Sequence, residues 1–154
     1  MDGFTYQVER WPEVADEARP LWDLHWQEVA LDRERIPLDP DLALYAQLDA
    51  MNQLHIVTVR DAGRALVGYH ASIVRPHPHY RTSLSSFTDL YYLLPSCRKG
   101  MVGVRLFREV ERTLRARGVE KASVQTKVSL DMSRIFERLG WRLTEKVYTK
   151  YLKE

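Results

Sequence analysis

At Leu54 the hydrophobic period of this chain changes, and that change limits the folds open to it. Before it, apolar residues recur at helical spacing. Val14, Ala18, Leu21, Trp22, His25 and Val29 form one stripe of a helix that Pro12 opens in its favoured first-turn position. Pro20 lies inside that pattern and predicts a kink or a split. After the polar loop "LDRERIPLDPD", Asp39, with Pro40 behind it, is the expected cap of a second helix, "DLALYAQLDAMNQ". From Leu54 the runs turn β-branched and aromatic. "LHIVTVRD" and "RALVGYHASIV" flank "DAG" in a hairpin pattern, "RPHPHYRT" reads as a longer connector, and "SLSSFTDLYYLLP" is a third strand ending at Pro95.

Around this centre, "FTYQVERW" alternates in polarity like a first strand. A helix is predicted over 102–117, with Val102, Leu106, Phe107, Val110 and Leu114 on one face and Gly118 as its stop. "VEKASVQTKV" follows as a strand, "LDMSRIFERLG" as a short helix, and "WRLTEKVYTKYL" as one or two closing strands. The order βααβββαβαβ(β) predicts an α+β fold of three layers, one mixed sheet with helices on both faces. At 154 residues, positions 1–154 fit a single domain.

Composition narrows the function classes. Lysine and arginine total 23 against 21 acidic residues, a net charge of +2 that gives no global reason to expect nucleic acid. The lone Cys97 excludes an internal disulfide and a cysteine-only metal cluster. No apolar run approaches the ~20 residues of a membrane span, and the N-terminus lacks a signal-peptide core, so a cytoplasmic protein with no membrane partner is expected.

The most informative stretch is "LLPSCRKGMVGVRLFREVE". It carries a strand through a proline into a helix, with Arg98, Lys99, Gly100 and Gly103 at the junction. A helix start exposes backbone N–H groups without partners and about half a positive charge, where phosphates settle readily. The glycines let the chain wrap tightly around an anion, and the two cations add screened attraction.

In its surroundings this stretch resembles the GNAT superfamily of N-acetyltransferases. There a strand ending near a proline is followed by an Arg/Gln-x-x-Gly-x-Gly/Ala loop and a long helix. Arg98 stands in the arginine position and Gly103 in that of the last glycine. "SRIFERLGWRLTEKVYTKYL" looks like the closing segment of the family, and "ALVGYHASI" like the strand after the first hairpin. Two departures stand out: Met101 occupies the usual first glycine position, with Gly100 one place earlier, and Phe136 replaces a common tyrosine. The resemblance implies a mostly antiparallel sheet and acetyl-CoA as cosubstrate. It implies a pyrophosphate loop of Arg98, Lys99, Gly100, Met101, Val102, Gly103 and Val104. Leu93 and Leu94 would pair their backbone with the pantetheine arm and offer the oxyanion donor, and Phe136 and Ser133 would also lie against the cofactor. The acceptor is an amine on a small molecule or a protein, and dimers are frequent in the family.

Transfer to an amine needs a base, because an alkyl amine with pKa near ~10.4 is protonated at neutral pH. Asp89 is the candidate. In a regular strand Phe87, Asp89, Tyr91 and Leu93 share one face, although a bulge would swap it. With Phe136 unable to donate, Tyr91, Tyr92, Ser133 or a water is left to protonate the thiolate. A chain that keeps the fold and the cofactor without turnover is the alternative. "HPH" (His77, Pro78, His79) has metal-ligand spacing but no evident third ligand, so no metal is expected. His55 and His70 read as structural, while His25, Trp22 and Trp26 read as a packing face or an acceptor wall. Arg105, Arg108, Arg112 and Arg115, interleaved with Glu109 and Glu111, fit a solvated helix face better than a nucleic-acid surface.

Overall fold

A computed structural model describes residues 3–153. The strands are β1 (Thr5–Glu9), β2 (Leu54–Arg60), β3 (Leu66–His77), β4 (Tyr80–Leu93) and β5 (Lys121–Ser123), and they lie side by side in chain order. The first three pairings are antiparallel and β4 with β5 is parallel, giving the mixed sheet expected of an α+β fold. The helices are α1 (Trp11–Val29), α2 (Leu42–Ala50), α3 (Val102–Ala116) and α4 (Ser133–Arg138).

Alternation of side chains along β2 builds both cores at once. Leu54 and Ile56 join Trp11, Val14, Leu21 and Trp22 of α1 on one face. Val57 and Val59 meet Val102, Leu106, Val110 and Leu114 of α3 on the other. A strand buried on both faces must be largely apolar, and the three polar members of "LHIVTVR", His55, Thr58 and Arg60, each bond to a side chain of a neighbouring element. Each buried aliphatic of the α3 stripe contributes about 1.5–3 kcal/mol by area. Arg60 closes the end of this core, nearly buried and bonded at 2.8–3.1 Å to the carboxylates of Glu9 and Glu17.

Several expectations give way. Pro20 does not split α1, which runs unbroken from Trp11 to Val29 through that exposed position. The cap of α2 is Asp41, whose carboxylate accepts the Leu44 N–H at 2.8 Å, not Asp39. "RPHPHYRT" is no long connector: β3 runs to His77 and β4 starts at Tyr80, with a register shift at Pro76/His77 where proline cannot donate to the ladder. The strand expected across 119–128 is held only at Lys121–Ser123, because β4 leaves it beyond that point. The closing strands are absent: residues 142–153 join no sheet among the described residues. Among those residues no helix is long and apolar enough to cross a membrane.

Candidate active site

The sheet opens between β4 and β5. Their parallel pairing covers Ser85–Phe87 and Lys121–Ser123 and then stops, while β4 continues along β3 to Leu93. Across the opening only side-chain reach persists: the Tyr91 hydroxyl donates to the Gln125 carbonyl at 2.9 Å. From Leu93 the chain makes a single 3-10 turn, Pro95–Cys97, and then enters α3, so the N-terminus of that helix adjoins the end of β4.

Gly100 has φ +60, the left-handed region that glycine occupies without strain, and a Cβ there would meet nothing within 4 Å. Gly103 has ordinary φ, and a Cβ on it would touch only Ile135 at 3.7 Å. Of the two, Gly100 shapes the turn. Among the described residues the N–H groups of Gly100, Met101, Gly103 and Val104 meet no backbone acceptor, whereas Val102 reaches Lys99 O at 3.5 Å. Arg98, Lys99, Gly100 and Met101 are exposed around them. This is a solvent-facing cluster of donors at the positive end of a four-turn helix.

Two cofactor assignments change. Arg98 is not a free cation aimed at an anion: its guanidinium holds Glu28 of α1 in a two-pronged pair at 2.6 Å, and its Nε donates to Leu93 O at 2.7 Å. It also lies over the Tyr92 ring, 5.2 Å from the centroid. Leu94 N–H donates to Val67 O at 2.8 Å across β3, so it cannot pair with a ligand. Because peptide groups alternate, Leu93 presents its N–H on the edge turned away from β3, towards the opening. The Leu93 carbonyl, on the same edge, is taken by the Arg98 Nε–H.

The row Phe87–Asp89–Tyr91–Leu93 does not share one face. Ala71 pairs with Leu90 but Ser72 pairs with Thr88, which leaves Asp89 as the extra residue of a bulge. Thr88 faces α3, where its hydroxyl bonds His70 at 3.0 Å. Tyr91 and Leu93 face α3 as well, against Phe107 and the α3 core. Asp89 and Leu90 both turn towards α1 and α2. There the Tyr45 hydroxyl donates a short hydrogen bond to the Asp89 carboxylate. Burial, first, and the adjacent carboxylate raise the Tyr45 pKa, so the phenol stays protonated.

The same α1–α2 face carries a cluster that the sequence reading left undecided. His25 stacks on Tyr92 with centroids 4.9 Å apart, and its Nδ1 lies 3.2 Å from the Tyr69 hydroxyl. Burial pushes the His25 pKa down to about 4, against the pull of Glu28, so the ring is neutral at pH 7. Tyr69 and Tyr92 are register partners on β3 and β4. Helical spacing placed His25 on the inner stripe, but only the tertiary register sets the two tyrosines beside it.

On the opposite face, Phe136 is buried in a ring cluster with Tyr91, Phe107 and Trp141, at centroid distances of 5.0–6.2 Å. Ser133 bonds Asp131 through its N–H and its hydroxyl. Tyr91 and Tyr92 thus lie on opposite sides of the sheet, with Asp89 on the side of Tyr92. His77 and His79 stack on each other at 5.2 Å, and among the described residues no three histidine, cysteine or acidic side chains are grouped to hold a metal. On α3, Glu109 pairs with Arg112 one turn away.

No protein-family model matches the chain, and no curated protein matches it by sequence. Solved structures do match. An aminoglycoside acetyltransferase from an uncultured soil metagenomic sample, in complex with sisomicin, superposes with a TM-score of 0.73 at 14% identity, over 99% of this chain and 97% of that one. The ribosomal-protein-alanine N-acetyltransferase of Brucella melitensis biovar Abortus 2308 gives 0.67 at 17% identity, over 98% of each chain. AAC(6')-Iy in complex with the bisubstrate analogue CoA-S-monomethyl-acetylneamine gives 0.67 at 18%, over 97% of this chain and 99% of that one. The chain carries the α+β GNAT-like fold that these acetyltransferases share.

Proposed function

We propose that this protein is an acetyl-CoA-dependent N-acetyltransferase in which an amine attacks the thioester directly. The observation that carries the reading is the opening between β4 and β5, which ends at the four unpaired amides of the turn into α3. The pyrophosphate would lie on the N–H groups of Gly100, Met101, Gly103 and Val104, with Lys99 as the nearby free charge. The pantetheine arm would run in the opening past Tyr91. That AAC(6')-Iy binds a CoA-based analogue on the same fold supports the placement.

In this reading the thioester carbonyl lies at the end of β4, where the Leu93 N–H stabilises the oxyanion; such a donor is worth a few kcal/mol in a dry site. The amine approaches from the α1–α2 side, past His25, Tyr92 and Asp89. Its nitrogen forms the C–N bond, its proton passes to Asp89 directly or through a water, and the C–S bond breaks. Tyr45 holds the Asp89 carboxylate in place. The thiolate takes its proton from solvent or from Tyr91, whose phenol burial keeps protonated. Tyr92, stacked on His25 and covered by Arg98, serves as a wall of the acceptor side rather than as an acid.

Phe136 favours a second reading, in which the fold binds the cofactor without turning it over. Two measurements separate the readings. Calorimetry with acetyl-CoA should show binding, and none at hundreds of micromolar ends both. Thiol release across a panel of amines should appear and fall at least tenfold in Asp89→Asn; tight binding with no release from any amine favours the second reading.

A further inference from the structure

At the end of the sheet remote from the opening, β3 outruns β2. The first residue of β2, Leu54, pairs with Ile73, whereas β3 continues to His77. The notch beyond Leu54 receives the turn out of α2, where Asn52 takes a left-handed φ of +56 and Gln53 O accepts the Val74 N–H at 2.7 Å. Arg117, at the C-terminus of α3, borders it from another element. What remains is a cavity of about 360 Å³, within the size range of small-molecule sites. The buried Val74 and the half-buried Leu84 give it an apolar floor, and the exposed Arg75 and Pro76 form its rim.

This cavity holds a charge without a counterion. Among the described residues no acidic side chain lines it. Arg117 is half-buried and donates only to neutral acceptors: the carbonyls of Asn52 and Leu54, the Asn52 side-chain oxygen, and His55 Nδ1 at 3.3 Å. Arg10, Arg60, Arg98 and Arg112 each meet a carboxylate at 2.6–3.0 Å, although Arg10 and Arg112 are more exposed and need one less. Among the described residues Arg117 meets none, and its Nε–H has no acceptor. Burial, first, and the charge of Arg10 lower its pKa. A guanidinium desolvated in this way is costly, and an anion from solution relieves that cost.

We propose that the cavity binds a small organic carboxylate, its carboxyl group between Arg117 and Arg75 and its apolar body on Val74, Pro76 and Leu84. The four contacts of Arg117 fix its guanidinium before any ligand arrives, so little ordering entropy is lost there. The side-chain amides of Asn52 and Gln53 line the same space and offer further N–H donors. The apolar floor favours an organic acid over inorganic phosphate, whose remaining oxygens it would leave without partners.

The place is distinct from the opening between β4 and β5. Gly68 of β3 faces Leu93 at the end of β4, and Val74 lies six residues further along the strand, about 20 Å away. Binding here therefore owes nothing to acetyl transfer.

Calorimetry on the full chain, with sodium benzoate as the probe, should show saturable binding with a millimolar or tighter Kd. Arg117→Met should weaken it by about tenfold or more. Because Arg117 also holds the turn at Asn52, a second substitution guards against a folding defect. Arg75→Glu, at an exposed position, sets a carboxylate beside Arg117. It should abolish benzoate binding and raise the thermal midpoint of the unliganded chain by about 2 °C, as an internal counterion would. Three results overturn the proposal: no heat from benzoate at tens of millimolar, binding that survives both substitutions and so lies elsewhere on the chain, or binding of inorganic phosphate alone.

Discussion

Two buried histidines should make this protein sensitive to mild acid. His55 and His70 are each 1% exposed beneath α3. The Nε2 of His55 faces the Thr113 hydroxyl at 2.9 Å, and that of His70 faces Thr88 at 3.0 Å. Burial, aided by Arg117, depresses His55 to about 4, and burial depresses His70 to about 3. An unfolded histidine titrates near ~6.5, so between pH 6.5 and about 4 the unfolded chain binds protons that the native chain refuses. Stability contributed by these groups is present above pH 6.5 and lost as pH falls. Going from pH 7 to pH 5, each histidine should cost roughly 2 kcal/mol, and the pair about 4 kcal/mol, which is a large share of a typical domain's stability. The carboxylates paired with arginine, Glu9 and Glu17 among them, have lowered pKa values and so act below this window. His25, depressed to about 4 as well, adds a like loss, so in urea unfolding at pH 7, 6 and 5 His70→Gln is expected to remove about a third of the total. A midpoint that moves by less than about 1 kcal/mol equivalent, about a quarter of the effect expected from His55 and His70 together, or an equal slope in His70→Gln, would refute the argument.

Three further outcomes follow from packing and charge. Gly68→Ala should destabilise by about 1–3 kcal/mol in thermal or urea unfolding, because its Cβ would lie 2.8 Å from Tyr92 O and 2.7 Å from Leu93 Cδ1. Arg60→Met should cost about 3–5 kcal/mol by leaving Glu9 uncompensated at the core end, and adding Glu9→Gln should recover part of that in a double-mutant cycle. Gly100→Val forces a β-branched residue to φ +60; it should cost about 1–2 kcal/mol of stability and weaken acetyl-CoA binding in calorimetry, whereas Gly103→Ala should leave stability nearly unchanged.

Local chemistry reaches the eye directly. The α3 stripe, the stop at Gly118 with φ +80, the β-branched run of β2 and the glycine-shaped turn after Pro95 are each fixed by residues within a few positions of one another, so the sequence alone determines them. What the tertiary structure decides depends on register. Asp89 changes face because β4 holds one residue more than β3 between Ala71 and Ser72, and no local signal marks which residue is extra. Arg98 is held by Glu28, seventy residues away, and His25 gains its tyrosines only where β3 and β4 align. The segment from Arg142 onward shows the limit most plainly: its pattern specifies a strand, but a strand needs a neighbour's N–H and C=O groups, and those are not contained in its own residues.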